Sequence, residues 1–263
     1  MKLGFLQVYN EVNWVEYAID QAMLMCDKLL ITEGSQFTSF PDIPERSDDG
    51  TLDIISDKSK QYGKRITCLN TTRKHKNYRY NQCDNFNRAL MFCNKGDYFI
   101  QLDADEFYFD KWISEANELM KERKVDVIEA LNRAFAFSFK WCVDRNQARV
   151  KPTVIKKTKG LHFVPAHLHK NAGENVMMIP EIGCHHYDWV KPPERMLIRM
   201  RTSVMYSGMV EWFEEIYLKI KPEDSEIYPG YNAEFALRKY DGSHPSVLDH
   251  HPWHQIEDVR KII

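Results

Sequence analysis

The stretch GDYFIQLDADEFYFD, Gly96 to Asp110, decides how the rest of the chain is read. Tyr98 to Leu102 is almost wholly apolar and of strand length, and it ends abruptly in Asp103, Asp105 and Glu106. Carboxylates this close repel one another, and each resists leaving water. A positive partner therefore belongs at the tip of this strand.

Working back toward the N-terminus, strands and helices alternate. Leu3 to Tyr9 is a short apolar run, followed by a helical period over Asn13 to Cys26 with Val15, Ala18, Ile19, Ala22 and Met23 on one face. KLLIT from Lys28 reads as a second strand, closed by Glu33-Gly34-Ser35. Residues 36–50, with two prolines and clustered Asp and Ser, read as a loop. A helix over Thr51 to Tyr62, a strand over Arg65 to Leu69 and a helix from about Asn81 to Cys93 complete the series. Such alternation implies crossover connections and an α/β fold with a mainly parallel sheet flanked by helices. Ligands of such sheets bind outside the carboxyl ends of the strands. Asn10-Glu11, Glu33-Gly34-Ser35 and Asp103-Ala104-Asp105 would converge there.

The second half is less regular. Val125 to Leu131, Ala134 to Phe139 and Val150 to Lys156 read as strands, residues 193–220 as helical and the Pro-, His- and Trp-rich tail as irregular. The expected division is one α/β domain over residues 1–190, holding the converging strand ends, and a helical or irregular C-terminal extension over 191–263, packed on that domain.

Composition narrows the function. The 263 residues are 43% apolar and 28% charged, with 36 basic against 38 acidic side chains and a net charge of −2. That balance does not suit a broad nucleic-acid surface, so no nucleic-acid partner is expected. Six cysteines without a CxxC pair read as reduced thiols. No apolar run approaches the roughly 20 residues that span a bilayer, and KLGFLQVYNE holds no targeting pattern. The expectation is a cytoplasmic protein without a transmembrane segment.

Asp103 and Asp105 lie two apart and would share a face on a continuing strand. Their hard oxygens suit Mg²⁺ or Mn²⁺, whose remaining positions are often filled by substrate phosphates. VYNE after the first strand, NRALMFCNKGDYFIQLDADE and HHYDWVKPPERM together resemble the GT-A glycosyltransferases, close to family 2. The resemblance covers roughly residues 3–110, with a patch near 184–196. It implies a Rossmann-like GT-A fold, a nucleotide-diphosphate sugar as donor (a UDP-sugar on family frequency) and a divalent metal, Mn²⁺ or Mg²⁺. The acceptor would be a hydroxyl of a glycan, a lipid-linked molecule or a protein.

By that resemblance Asp105 coordinates the metal, with Asp103 near the ribose or a metal-bound water. Tyr9, Asn10 and Glu11 line the nucleotide, and Glu33 stands near the base or ribose. Asn87, Arg88 and Ala104 belong to the donor site. A late histidine completes the metal's coordination; adjacent strand residues point to opposite faces, so at most one of His185 and His186 serves, and the match to HYDWV favours His186, with His185 second. An inverting enzyme needs a general base, and the family's placement after the D-x-D points to Glu181 or Asp188.

Three rival readings stand beside this one. A sugar nucleotidyltransferase would carry a Gly- and Arg-rich phosphate loop where this chain has YNEVNW. A His-rich metallohydrolase would draw on residues such as His167 and His169, although their spacing does not complete a zinc site. A non-catalytic sugar-binding relative would keep the fold and lose turnover. The basic loop TTRKHKNYR, with Arg73, Lys74, Lys76 and Arg79, could assist phosphates or simply face solvent.

Overall fold

The computed structural model describes residues 1–144, 149–165, 168–202, 210–221, 223 and 236–262. The first half builds β1 (Lys2–Val8), α1 (Val15–Met25), β2 (Lys28–Glu33), α2 (Thr51–Tyr62), β3 (Ile66–Asn70), α3 (Tyr78–Leu90) and β4 (Tyr98–Asp103). These strands pair in the order β3-β2-β1-β4, parallel throughout. Apolar runs without alternation are what a sheet buried on both faces requires. In β4, Tyr98, Ile100 and Leu102 enter the core beneath α1, α2 and the later α4, while Phe99 enters a second core with Phe5, Phe86 and Phe163 on the α3 side. The apolar stretch of the opening sequence is thus explained by two-sided burial.

The second half widens the sheet to ten strands. It adds β5 (Glu106–Tyr108), α4 (Asp110–Glu122), β6 (Val127–Ala136), β7 (Trp141–Asp144), β8 (Arg149–Lys156), the small hairpin β9 (His162–Val164) and β10 (Leu168–Lys170), and β11 (Val176–Trp189). β8 inserts antiparallel between β4 and β6, while β11 runs parallel to β6 and antiparallel to β5. The fold is mixed α/β, with a mainly parallel Rossmann-like core flanked by helices.

Several sequence expectations are corrected here. The two strands expected at 125–131 and 134–139 are one continuous β6, because Asn132 and Arg133 stay in the ladder with β11. β11, not among the strands expected above, runs unbroken from Val176 to Trp189, and irregularities in its register with β6 let Pro180 and Gly183 lie within it. Of the helical stretch expected at 193–220, the structure shows α5 (Pro193–Thr202), α6 (Val210–Trp212) and a wide turn over Phe213–Tyr217; residues 203–209 lie outside the described set, as does His167. The tail is irregular as expected, with only short 3₁₀ turns at residues 246–248, 252–255 and 259–261, but it is tightly packed. β12 (Ala236–Lys239) pairs with β7, and Leu248, Trp253 and Val259 join the main core.

Candidate metal and anion site

The site forms where the carboxyl ends of the parallel strands meet β11. After β4 the chain turns at Ala104-Asp105 into β5, and β5 pairs with β11 so that Glu106 faces His186. The Tyr187 N–H donates to the Asp105 carbonyl at 2.8 Å. Backbone pairing therefore brings the D-x-D turn against a strand far away in sequence. Alternation along β11 sends His185, Tyr187 and Trp189 into the core, while His186 and Asp188 face a cavity of about 330 Å³.

Asp105, His186 and Asp188 each offer one ligand atom, all within 4.8 Å of one another. His186 Nε2 lies 3.5 Å from Asp105 Oδ1 and 3.4 Å from Asp188 Oδ1. Burial pushes the Asp105 carboxyl up, but Lys191 and His186 outweigh it and hold it well below the usual carboxylate range. The same contest lowers Asp188, where Arg199 and His186 prevail over burial. Burial works against charge on His186, yet Asp188, Asp105 and Glu106 raise it to about 9.

A divalent cation fits this donor set. Two carboxylates and an imidazole suit Mg²⁺ or Mn²⁺ chemically. Neighbouring ligands of an octahedral ion at about 2.1 Å stand about 3 Å apart, close to the two separations found here.

Around this group the charges interlock. Lys191, only 6% exposed, donates from Nζ to Asp105 Oδ2 at 2.9 Å and reaches both Glu11 carboxylate oxygens at 3.3 Å. Arg195 donates to the Tyr9 carbonyl at 2.8 Å and lies over the Tyr9 ring. Arg199 ion-pairs with Asp188. Asp103 lines the same cavity and is paired at 2.7 Å with Lys151, which also grips the buried Glu106. Burial, set against Lys151, leaves Glu106 raised, and in the same way Glu11 is raised despite Lys191 and Arg195.

Of the residues singled out in sequence, Tyr9, Glu11, Asp103, Ala104, Asp105, His186 and Asp188 line this one cavity. The others are placed elsewhere. Asn10, in a left-handed conformation at φ 51°, clasps Asp48 through both ends of its side-chain amide. Glu33 is fully buried and accepts from the Ser47 N–H at 2.8 Å and from Arg46, so it anchors the 36–50 loop. Gly34 follows at φ +124°, where a Cβ would stand 2.8 Å from the Glu45 carbonyl. Asn87 is spent on the Phe163 backbone, and Arg88 donates to the Asn70 carbonyl. Glu181 lies exposed against Lys111, outside the cavity. Arg73 donates to the Ser35 carbonyl and does not line the cavity.

Sequence reading missed Lys191, Arg195, Arg199 and Lys151. Arg195 and Arg199 lie four residues apart on α5, the spacing that puts side chains on one helical face, whereas Lys191 precedes that helix. That spacing was the available signal. Lys151 gave none, because its role depends on β8 inserting beside β4.

No protein-family model matches the chain, and no curated protein matches it. Among solved structures, TarS of S. aureus aligns with a TM-score of 0.47 at 11% identity, over 82% of this chain and 42% of its own. This chain thus spans less than half of that protein. Mannose-6-phosphate isomerase from Helicobacter pylori aligns with a TM-score of 0.32 at 13% identity, over 60% of this chain and 61% of its own. Likenesses this distant carry no argument about function. No helix among the described residues is long and apolar enough to cross a membrane.

Proposed function

We propose that this chain is a metal-dependent glycosyltransferase that moves a sugar from a nucleotide-diphosphate donor, with a UDP-sugar favoured, to a hydroxyl acceptor on a glycan, lipid-linked molecule or protein, with inversion. The observation that carries this is the meeting of Asp105, His186 and Asp188 in one cavity at the carboxyl edge of the sheet. In this reading these three residues hold Mn²⁺ or Mg²⁺, and the ion would neutralise charge that grows on the departing diphosphate. Tyr9 offers a ring face to the nucleotide, and Asp103 stands beside the metal group with its charge met by Lys151.

The geometry bears on the general base as well. Such a base works best with a pKa near the operating pH. Asp188 is lowered and shared between His186 and Arg199, which suits a ligand better than a base. Glu11 is the raised carboxylate that lines the cavity, and we carry it as the base candidate this geometry favours. His185, His244 and His251 pack among aromatic rings, so these three histidines lend no support to the metallohydrolase alternative.

A panel of UDP- and GDP-sugars assayed for donor hydrolysis tests the proposal. Release of nucleoside diphosphate should require Mn²⁺ or Mg²⁺ and stop with chelator. Donor binding without release in any metal would leave only a sugar-binding relative, and absence of binding across the panel would overturn the reading.

A further inference from the structure

A second pocket, of about 230 Å³, opens between the start of α4 and β11 and shares no lining residue with the metal cavity. β11 shifts its register against β6 on either side of Ile182, and bulges of this kind re-aim side chains. The Phe109 N–H donates to the Gly183 carbonyl at 3.0 Å, which fixes the first turn of α4 against this irregular stretch. Phe109, Trp112, Ile179 and Ile182 make the wall of the pocket apolar. Gly183 completes it, because a Cβ there would stand 2.2 Å from Trp112 Cδ1 and 2.8 Å from Nε1. The N–H edge of the indole therefore faces the strand at the pocket. Trp112 is 2% exposed, and its Nε1 has no hydrogen-bond partner among the described residues. A buried indole N–H ordinarily finds an acceptor, and leaving one unpaired is costly.

That combination selects an occupant. A hydrocarbon chain or an apolar side chain would fill the volume and leave the N–H unpaired. Pockets for drug-sized ligands run from about 300 Å³ upward, so this one suits a single small ring. A pyranose brings C–H bonds to the apolar wall and a hydroxyl that accepts from Trp112 while donating outward. Lys111, paired with Glu181 at 2.6 Å, and Glu115 are exposed at the mouth, where donors and acceptors can meet the remaining hydroxyls.

We propose that this pocket binds one pyranose unit of a glycan, with the Trp112 N–H donating to a ring hydroxyl. It is a holding site and takes no part in the chemistry of the metal cavity. The assignment stands without the transferase reading. Where that reading holds, the pocket anchors a glycan on the same strand that carries His186 and Asp188.

Nitrogen–proton correlation NMR on the full chain tests this, with methyl glucoside, galactoside, mannoside and N-acetylglucosaminide as probes at about 10 mM, enough to fill a millimolar site. The chain's 6 tryptophans each give one indole N–H signal, and Trp112→Phe identifies its own by loss. That signal should move with at least one probe while the others hold. By ligand-observed saturation transfer, Trp112→Phe, which keeps an aromatic ring and loses the donor, should weaken the same probe about three- to tenfold. Ile182→Phe, which fills the pocket from a half-buried position, should abolish binding, and thermal melts confirm that both variants are folded. No movement of the Trp112 signal with any probe, movement confined to other indoles, or undiminished binding in both variants overturns the proposal. A larger shift of the Trp112 signal from a short apolar peptide than from every sugar makes the pocket a peptide-docking site and overturns it too. Donor hydrolysis plays no part in these readings, so failure of the pocket and failure of the transferase reading are told apart.

Discussion

His185 and His186 are neighbours in the chain and occupy opposite chemical worlds. His186 faces Asp105, Asp188 and Glu106, and these carboxylates raise it to about 9. His185 lies fully buried among Phe109, Phe135 and Tyr240, and burial, aided by His244 and Arg133, pushes it down to about 2. The period of two along β11 separates them, and it continues with Asp188 on the cavity side and Tyr187 and Trp189 on the core side. One strand thus builds a polar wall and an aromatic floor at once. A histidine becomes a candidate ligand through the face it occupies, and histidine content by itself says little.

The aromatic side should bear the largest stability effect. Trp14 is 1% exposed, stacks on Tyr187 and His251, and meets Trp253 edge-on. Truncation of so large a buried ring costs about 3–5 kcal/mol. Trp14→Ala should therefore lower the denaturant midpoint sharply, and the tail that packs on it should become protease-sensitive. A melt close to wild type would show that the tail does not lock the floor of the sheet.

The polar wall should respond in activity more than in folding. Asp105→Asn removes a charge from the metal group and should cut metal-dependent donor hydrolysis by about 10²–10³-fold, the scale of a lost electrostatic stabiliser in an active site. Trp14 substitutions, assayed below their melting temperature, should leave Mn²⁺ affinity close to wild type. If the two variants fail in the same way, the division between wall and floor is wrong.

Acid distinguishes the sides next. His251 donates from Nε2 to the Asn13 carbonyl at 2.8 Å, faces Tyr17 and His254, and is held down to about 4, with burial as the main cause. Its ordinary value is about 6.5. Between those values the unfolded chain binds a proton that the folded chain refuses, so stability falls as pH drops through that window. His244, also held to about 4 by burial, acts in the same direction. His251→Gln should flatten the stability–pH slope by up to about 1.4 kcal/mol per pH unit, with no effect above pH 7. An unchanged slope would place a proton on His251 in the folded state.

Much of this was legible in the sequence, because two-sided burial writes itself as unbroken apolar runs. Thr51–Tyr62 and the core of β4 stand where the pattern put them. Asp105 was legible as a carboxylate at a strand end and His186 only through the resemblance of HHYDWVKPPERM, and both line the cavity. The interlocking cations were not, because Lys151 and Lys191 acquire their roles from strand insertion and from the β11–α5 junction, neither of which leaves a local period. The structural roles of Asn87 and Glu33 were hidden for the converse reason. A polar side chain that ties a loop to its neighbour looks the same in sequence as one that holds a ligand.

Glu181 gives the smallest expected effect and the sharpest check on placement. Sequence spacing put it level with Asp188 as a candidate base, yet it lies in the irregular stretch of β11 between Met178 and Ile182, away from the cavity that His186 and Asp188 line. Its carboxylate faces Lys111 of α4 at 2.6 Å, and both side chains are 64% exposed. An exposed pair of this kind has little bearing on stability, and a carboxylate so fully solvated has no desolvated substrate to act upon. Glu181→Gln should leave the melting temperature, donor binding and turnover indistinguishable from wild type, while Glu11→Gln should slow turnover by about 10²-fold or more if Glu11 acts as the base. A large loss in Glu181→Gln with Glu11→Gln unaffected would reverse the assignment. It would also mean that acceptor chemistry takes place on the outer face of β11 and not in the cavity.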